Sequence, residues 1–134
     1  MKLEHIAIWT HNLEKLKTYY QTYFGGVANT KYVNESRNFQ SYFLTFDSGA
    51  GARIEIMTRP DIRENRNDIN AQHIGITHFA FGVKTMDEVD EKARQLKADG
   101  YEILSGPRKT GDGYYEFETF DPDNNRLEVT TKST

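Results

Sequence analysis

The sequence predicts an α+β protein of two tandem βαβββ modules, which form a curved mixed sheet around a cleft with the helices on its outer face. Three observations predict this fold class. Strand-like and helix-like segments follow one another in the order β-α-β-β-β, and the same order then repeats. Corresponding residues of the two halves are separated by 73 positions, as Ala7 and Ala80 are (80 − 7). One helix covers only one face of a four-stranded sheet, so the other face stays open and two such units can enclose a cleft.

The first module covers residues 1–58. Ile6 and Ile8 alternate with residues of the opposite face in a predicted strand over 3–10. Apolar residues at helical spacing then predict a helix over 13–24, which a Gly-Gly pair ends. Three further strand-like segments complete this module, at 27–33, 40–46 and 52–58.

A connector separates the modules at residues 59–75, which are polar and rich in Asn, Asp and Arg. The second module covers 76–134 and begins with a predicted strand over 76–83. Thr85 and Glu88 have the spacing of a capping box, which predicts the start of the second helix. The remaining strands of this module are predicted at 101–108, 114–121 and 125–131.

Composition excludes several classes of partner and of chemistry. The net charge is −3 and the basic residues form no stripe, so we expect no nucleic-acid partner. No apolar run is long enough to span a bilayer, and the N-terminal residues lack a signal-peptide pattern, so we expect no membrane contact and a cytoplasmic location. The absence of cysteine excludes disulfides, thiolate ligands and a cysteine nucleophile.

Two histidines and two glutamates occupy matching places in the two halves. His5 and His78 lie in the opening strands, and Glu55 and Glu128 follow 50 residues later in the closing strands (55 − 5 and 128 − 78). Apolar residues alternate with all four, so the apolar side chains should face the helices and the four polar ones the cleft. A lone histidine or glutamate on a strand is more often structural or solvated than a ligand. The matched pairs nevertheless indicate one shared divalent metal ion, with Zn²⁺, Ni²⁺ and Co²⁺ favoured and Fe²⁺ and Mn²⁺ also suited to these ligands.

The same segments resemble the vicinal oxygen chelate superfamily, and within it the glyoxalase I-like branch of the glyoxalase, bleomycin resistance and dioxygenase family. The resemblance spans nearly the whole chain. It rests on residues 3–8 (LEHIAI) and 75–81 (GITHFAF) for the two histidine strands, and on 53–56 (RIEI) and 121–129 (DPDNNRLEV) for the two glutamate strands. It implies a single domain of paired modules with a metal ion in the cleft. It also implies a homodimer, and in some members the cleft forms across two chains.

The ligand set separates the branches of that family. Two histidines with two glutamates resemble the glyoxalase I pattern, whereas ring-cleaving dioxygenases and fosfomycin-type transferases have no ligand at the position of Glu55. The resemblance therefore implies a lactoylglutathione lyase-like metalloenzyme, a lyase or isomerase that acts on a small hydroxycarbonyl or hemithioacetal substrate through a metal-stabilised enediolate. It further implies that Glu128 is the catalytic residue that moves the proton.

Two alternatives remain open at this point. One is a metal-dependent epimerase or isomerase that acts on another chelating substrate, and the other is a non-enzymatic binder that sequesters a small molecule. The thiol cofactor is also open, because residues 57–61 (MTRPD) differ from the aromatic stretch that follows the first glutamate strand in well-known bacterial glyoxalase I proteins.

Overall fold

The computed structural model describes residues 1–133, and the chain divides into two compact units, Met1–Arg66 and Asn67–Thr134. Each unit contains one α-helix and one mixed β-sheet, in which parallel and antiparallel pairs occur together. The predicted α+β class and its two modules are thereby confirmed. The strands belong to two hydrogen-bonded sheets, one in each unit.

In the first unit, the strand predicted over 27–33 is divided into two short strands. The helix and strands are β1 (His5–Trp9), α1 (Leu13–Phe24), β2 (Val27–Ala28), β3 (Tyr32–Asn34), β4 (Phe39–Thr45) and β5 (Arg53–Thr58). The division begins at Asn29, whose backbone N–H donates to the Phe43 carbonyl (3.0 Å) while its side-chain oxygen accepts from the Phe43 N–H (2.8 Å). The asparagine side chain takes the place of a backbone carbonyl in the ladder, and this ends β2.

The second unit repeats this connectivity. Its elements are β6 (Phe79–Gly82), α2 (Met86–Ala98), β7 (Ile103–Lys109), β8 (Tyr114–Phe120) and β9 (Arg126–Lys132). The sheet order β6-β9-β8-β7 corresponds to β1-β5-β4-β2 in the first unit, and in both units the first strand runs parallel to the last. The opening strand is shorter than the predicted 76–83, so His78 lies immediately before it. Its pairing begins with Phe79 opposite Leu127.

Side-chain caps fix where both helices begin. The Asn12 side chain accepts from the Lys15 N–H at 3.1 Å before α1, and Gly25 ends that helix with a left-handed φ of 66°. Thr85 and Glu88 form the predicted capping box before α2, in which the Glu88 N–H donates to the Thr85 hydroxyl at 3.2 Å. These local hydrogen bonds satisfy backbone groups that the first and last turns of a helix leave unpaired.

One face of each sheet packs on its helix, and this gives each unit its own core. The buried apolar residues are Leu13, Leu16, Tyr19, Tyr20, Tyr42, Leu44, Ile54 and Ile56 in the first unit, and Val89, Ala93, Leu96, Phe117, Leu127 and Val129 in the second. Each fully buried Leu, Ile, Val or Phe side chain stabilises the fold by about 1.5–3 kcal/mol. The opposite face of each sheet carries the polar residues that alternate with this core.

The remaining segments contain no further long element. Residues 59–75 form turns and bends, without a helix or strand. Within residues 1–133, neither α1 nor α2 is long and apolar enough to cross a membrane.

Candidate metal centre

The first unit brings His5 and Glu55 together on the face of its sheet that is turned away from α1. Ile54 and Ile56 are buried under the helix, so strand alternation directs Glu55 to the opposite face. The His5 Nε2 atom lies 3.7 Å from the Glu55 Oε2 atom. This separation is too long for a hydrogen bond, and it is compatible with two ligands that share one ion.

The second unit brings His78 and Glu128 together in the same way. Leu127 and Val129 are buried against α2, and Glu128 points to the other face with only 13% of its side chain exposed. The His78 Nε2 atom lies 2.9 Å from the Glu128 Oε2 atom.

The two His–Glu pairs occupy the same place in the two sheets. Glu55 is the register partner of Ala7, and Glu128 is the register partner of Ala80. In both units the histidine precedes that alanine by two residues, so it lies on the same face one pleat away. The predicted repeat therefore holds at the level of strand register. The convergence of both pairs on one ion remains a prediction.

A third carboxylate, which the sequence analysis missed, lies beside the second pair. Glu118 in β8 is the direct cross-strand partner of Glu128. One ligand atom each from His78, Glu118 and Glu128 lies within 4.8 Å of the others. Arg126 approaches Glu118 at 3.4 Å (Nη1 to Oε2) from the neighbouring strand. The sequence did contain a signal, because counting outwards from the turn at 121–125 places residue 118 opposite residue 128.

Burial and the neighbouring carboxylates both act on the pKa of Glu128. Burial is the largest cause that raises the pKa of the Glu128 carboxyl above its ordinary value of 4.5. The nearby Glu116 and Glu118 raise this pKa further, while His78 opposes them by favouring the carboxylate form. A divalent cation would offset both the lost hydration and the repulsion between the carboxylates.

The two histidines differ in what contacts their second ring nitrogen. The Nδ1 atom of His5 forms a hydrogen bond with the Glu4 carboxylate, whereas the Nδ1 atom of His78 lies 3.1 Å from the Thr77 hydroxyl. The hydrogen bond from His5 is the largest cause that lowers the pKa of the Glu4 carboxyl, and the bond from Arg53 also lowers it. In both histidines the Nε2 atom is the ring nitrogen that lies nearest the glutamate of the same pair.

The donor set fits a divalent ion of the borderline kind. Each unit supplies an imidazole nitrogen and carboxylate oxygens, which Zn²⁺, Ni²⁺, Co²⁺, Fe²⁺ and Mn²⁺ all accept. Nitrogen and oxygen alone would hold such an ion, since the chain has no cysteine. The half-buried carboxylates of the second unit, with few compensating cations around them, are the feature that an ion would stabilise most.

Comparison with known proteins agrees with this architecture. The family model described as Glyoxalase/Bleomycin resistance protein/Dioxygenase superfamily matches residues 2–129. Among curated proteins, an uncharacterized protein of Bacillus subtilis (strain 168), YqjT, is 33% identical over 63 residues. That match covers 45% of this chain and 49% of YqjT, so it spans about half the length of the relative.

Two solved structures illustrate the range of similar folds. The trypanothione-dependent glyoxalase I of Leishmania major aligns with a TM-score of 0.76 at 17% identity, over 96% of this chain and 85% of that one. The fosfomycin resistance protein FosX of Listeria monocytogenes, in complex with Mn(II) and sulfate, aligns with a TM-score of 0.68 at 22% identity, over 96% and 90% of the two chains. At these identities the likeness shows the fold alone.

The family model spans both units, including both His–Glu pairs, and it ends one residue after Glu128. The strand order repeats between the two units, and so does the register of the first strand with the last. The chain belongs to the Glyoxalase/Bleomycin resistance protein/Dioxygenase superfamily.

Proposed function

We propose that this protein is a metal-dependent lyase or isomerase of the glyoxalase I type, acting on a small hydroxycarbonyl or hemithioacetal substrate. His5, Glu55, His78 and Glu128 are the proposed metal ligands. The observation that carries the proposal is the matched register of the two His–Glu pairs, at 3.7 Å in the first unit and 2.9 Å in the second.

The proposed chemistry is a proton transfer between two neighbouring carbon atoms of the substrate. A divalent ion bound by these side chains would act as a Lewis acid that increases the acidity of the C–H bond next to a chelated carbonyl. Glu128 removes this proton as a carboxylate and returns it to the adjacent carbon, so that the residue ends the cycle unchanged. Its low exposure supports this assignment, because a partly desolvated carboxylate is the better proton acceptor.

Metal content is the first test. We expect near-stoichiometric Zn²⁺, Ni²⁺, Co²⁺, Fe²⁺ or Mn²⁺ in the purified protein by elemental analysis. His5→Ala and His78→Ala should lose this metal. His73→Ala is the matched control, because His73 is exposed in the segment between the proposed ligand pairs. Wild-type protein that binds no divalent ion would support the alternative of a non-enzymatic binder.

Activity is the second test. We expect the metal-loaded protein to convert hemithioacetals of methylglyoxal, assayed with glutathione and with other thiols, and to exchange the substrate C–H with solvent deuterium. Glu128→Gln should keep its metal and lose turnover by about 100-fold or more. Glu91→Gln, an exposed change on α2 at a residue paired with Arg94, should retain full activity. Unimpaired turnover in Glu128→Gln would contradict the assigned role, and stoichiometric metal without activity on any thiol adduct would favour the epimerase alternative.

Two further expectations belong to this proposal. A homodimer and a cytoplasmic location are what we expect of a glyoxalase I-type enzyme that acts on small metabolites. Light scattering of the purified protein tests the first expectation, and fractionation of cells that express the full chain tests the second.

A further inference from the structure

We propose that Glu4 is a positioning residue, which fixes the ring of His5 so that Nδ1–H points to the Glu4 carboxylate and the Nε2 lone pair points to the metal position beside Glu55. This inference rests on the proposed function, since it concerns how one of the proposed ligands is held. Glu4 itself is not a ligand in this proposal, and it acts only through His5.

The geometry begins with the two oxygens of the Glu4 carboxylate. One oxygen, Oε2, forms the hydrogen bond with His5 Nδ1. The other, Oε1, accepts from Arg53 Nε at 2.8 Å and lies 2.5 Å from Arg53 Nη2. With both oxygens occupied, the carboxylate is held in one orientation. The His5 Nε2 atom then lies on the far side of the ring, 3.7 Å from Glu55 Oε2.

Two aromatic contacts extend this arrangement into a closed loop of four side chains. Arg53 is the register partner of His5 in the parallel β1–β5 pair, and its guanidinium lies 4.1 Å from the centre of the Phe43 ring. The Phe43 ring in turn contacts the His5 ring edge-on, with centroids 5.3 Å apart and planes at 84°. His5, Glu4, Arg53 and Phe43 therefore each contact two others of the set. An isolated exposed ion pair would hold a side chain only weakly, but a closed loop restricts all four members at once.

The second unit shows that the fold does not require this loop. The residues 73 positions after Glu4 and Arg53 are Thr77 and Arg126. Thr77 offers His78 only a hydroxyl at 3.1 Å, and Arg126 pairs with Glu118 and lies over the Phe120 ring at 5.2 Å. The same strand register thus forms with a threonine in place of the glutamate, although β6 begins at Phe79, one position later than β1 does. We infer that Glu4 serves the ligand next to it rather than the sheet.

The chemical consequence follows from how metals select a histidine tautomer. A carboxylate that accepts a hydrogen bond from one ring nitrogen keeps the other free of hydrogen and makes it a better donor to a metal. Loss of such an outer partner commonly lowers metal affinity by about 10- to 100-fold. His5 should therefore depend on Glu4 more than His78 depends on Thr77.

The test uses the full-length protein with and without metal. Glu4→Ala removes the acceptor, and Glu4→Gln keeps its size and one weaker acceptor oxygen. Two-bond proton–nitrogen-15 correlation spectra of the metal-free protein report the His5 tautomer, recorded above the pH at which the ring signals stop moving. Competition with a chelating dye measures the dissociation constant of Zn²⁺ or Co²⁺. Thr77→Ala is the matched variant in the second unit, Glu91→Gln is the surface control, and thermal unfolding confirms that each variant is folded.

We expect the Nδ1–H tautomer for His5 in the wild-type protein and a shift towards Nε2–H in Glu4→Ala. Metal affinity should fall about 10- to 100-fold in Glu4→Ala and less in Glu4→Gln and Thr77→Ala. An Nε2–H tautomer in the wild-type protein, or affinity within about twofold of wild type in Glu4→Ala, would overturn the role of Glu4. A different result would overturn the proposed function instead: the expected tautomer and its change in Glu4→Ala, together with unchanged metal binding in His5→Ala.

Discussion

Replacing Glu128 with glutamine should stabilise the metal-free protein at neutral pH, even though it should lower turnover by about 100-fold or more. Because the pKa of Glu128 is raised above 4.5 in the folded protein, the ionised form is less favourable there than in the unfolded chain. At neutral pH the wild type therefore carries a penalty that the variant lacks. As the pH falls through the raised pKa to 4.5, the folded wild type takes up the proton and the penalty disappears. The advantage of Glu128→Gln should shrink across the same window and vanish below it.

The structure sets the size of this effect. Glu118 and Glu128 are direct cross-strand partners, and like charges in such positions destabilise a sheet by about 0.2–1 kcal/mol. Burial of Glu128, of which 13% of the side chain is exposed, acts in the same direction. We therefore expect the free energy of unfolding of Glu128→Gln to exceed that of the wild type by about 0.2–1 kcal/mol or somewhat more, equivalent to roughly 1–6 °C in Tm.

Urea unfolding of chelator-treated protein, followed by circular dichroism at several pH values, measures this difference. Glu91→Gln is the control, because its exposed pair with Arg94 should give a small difference without this pH window. A Glu128→Gln protein that is less stable than wild type at neutral pH would refute the reasoning. A stability gain that is the same at pH 7 and at pH 4 would refute it as well.

Two further predictions concern residues outside the proposed site. Hydrogen bonds from Lys31 and Lys17 lower the pKa of Glu14 to about 2, so its stabilisation should be complete above 4.5 and lost as the pH falls towards 2. Since half of the Glu14 side chain is exposed, Glu14→Gln should cost at most about 1 kcal/mol at neutral pH and progressively less as the pH falls from 4.5 through 2, as urea unfolding across this range would show. Thr85→Ala breaks the capping box of α2 and should lower the free energy of unfolding by about 0.5–2 kcal/mol at any pH between 5 and 8. An unchanged urea midpoint would contradict this role of the cap.

Local chemistry explains what the sequence could predict. The helix from 13 to 24 was bounded correctly because its cap, Asn12, and its terminating Gly25 act on neighbouring backbone groups. The sheet face on which Glu55 and Glu128 lie could be predicted for the same reason. Each has a buried neighbour on either side in its strand, and side chains alternate between the two faces.

Contacts between distant strands explain which site residues the sequence pattern does not reveal. Glu118 joins the site only because β8 pairs with β9, and its partner is set by the turn at 121–125 rather than by its own neighbours. In that turn the Asp121 carboxylate accepts from the backbone N–H groups of Asp123 and Asn125, which fixes the register. Glu4 was missed for a related reason, since its importance depends on Arg53, which is 49 residues away in the chain and is adjacent only through the β1–β5 pair.

The two halves of the proposed site differ in a way that favours Glu128 over Glu55 as the proton carrier. The direct cross-strand partner of Glu55 is Phe43, which brings no charge, whereas the partner of Glu128 is Glu118. The arginines at matching positions also have different partners. Arg53 binds the carboxylate of Glu4, next to His5, whereas Arg126 binds the carboxylate of Glu118, next to Glu128. A buried carboxylate with other carboxylates beside it is the one most readily protonated. By this reasoning, Glu128→Gln should reduce turnover far more than Glu55→Gln does, and equal losses in the two variants would contradict the asymmetry.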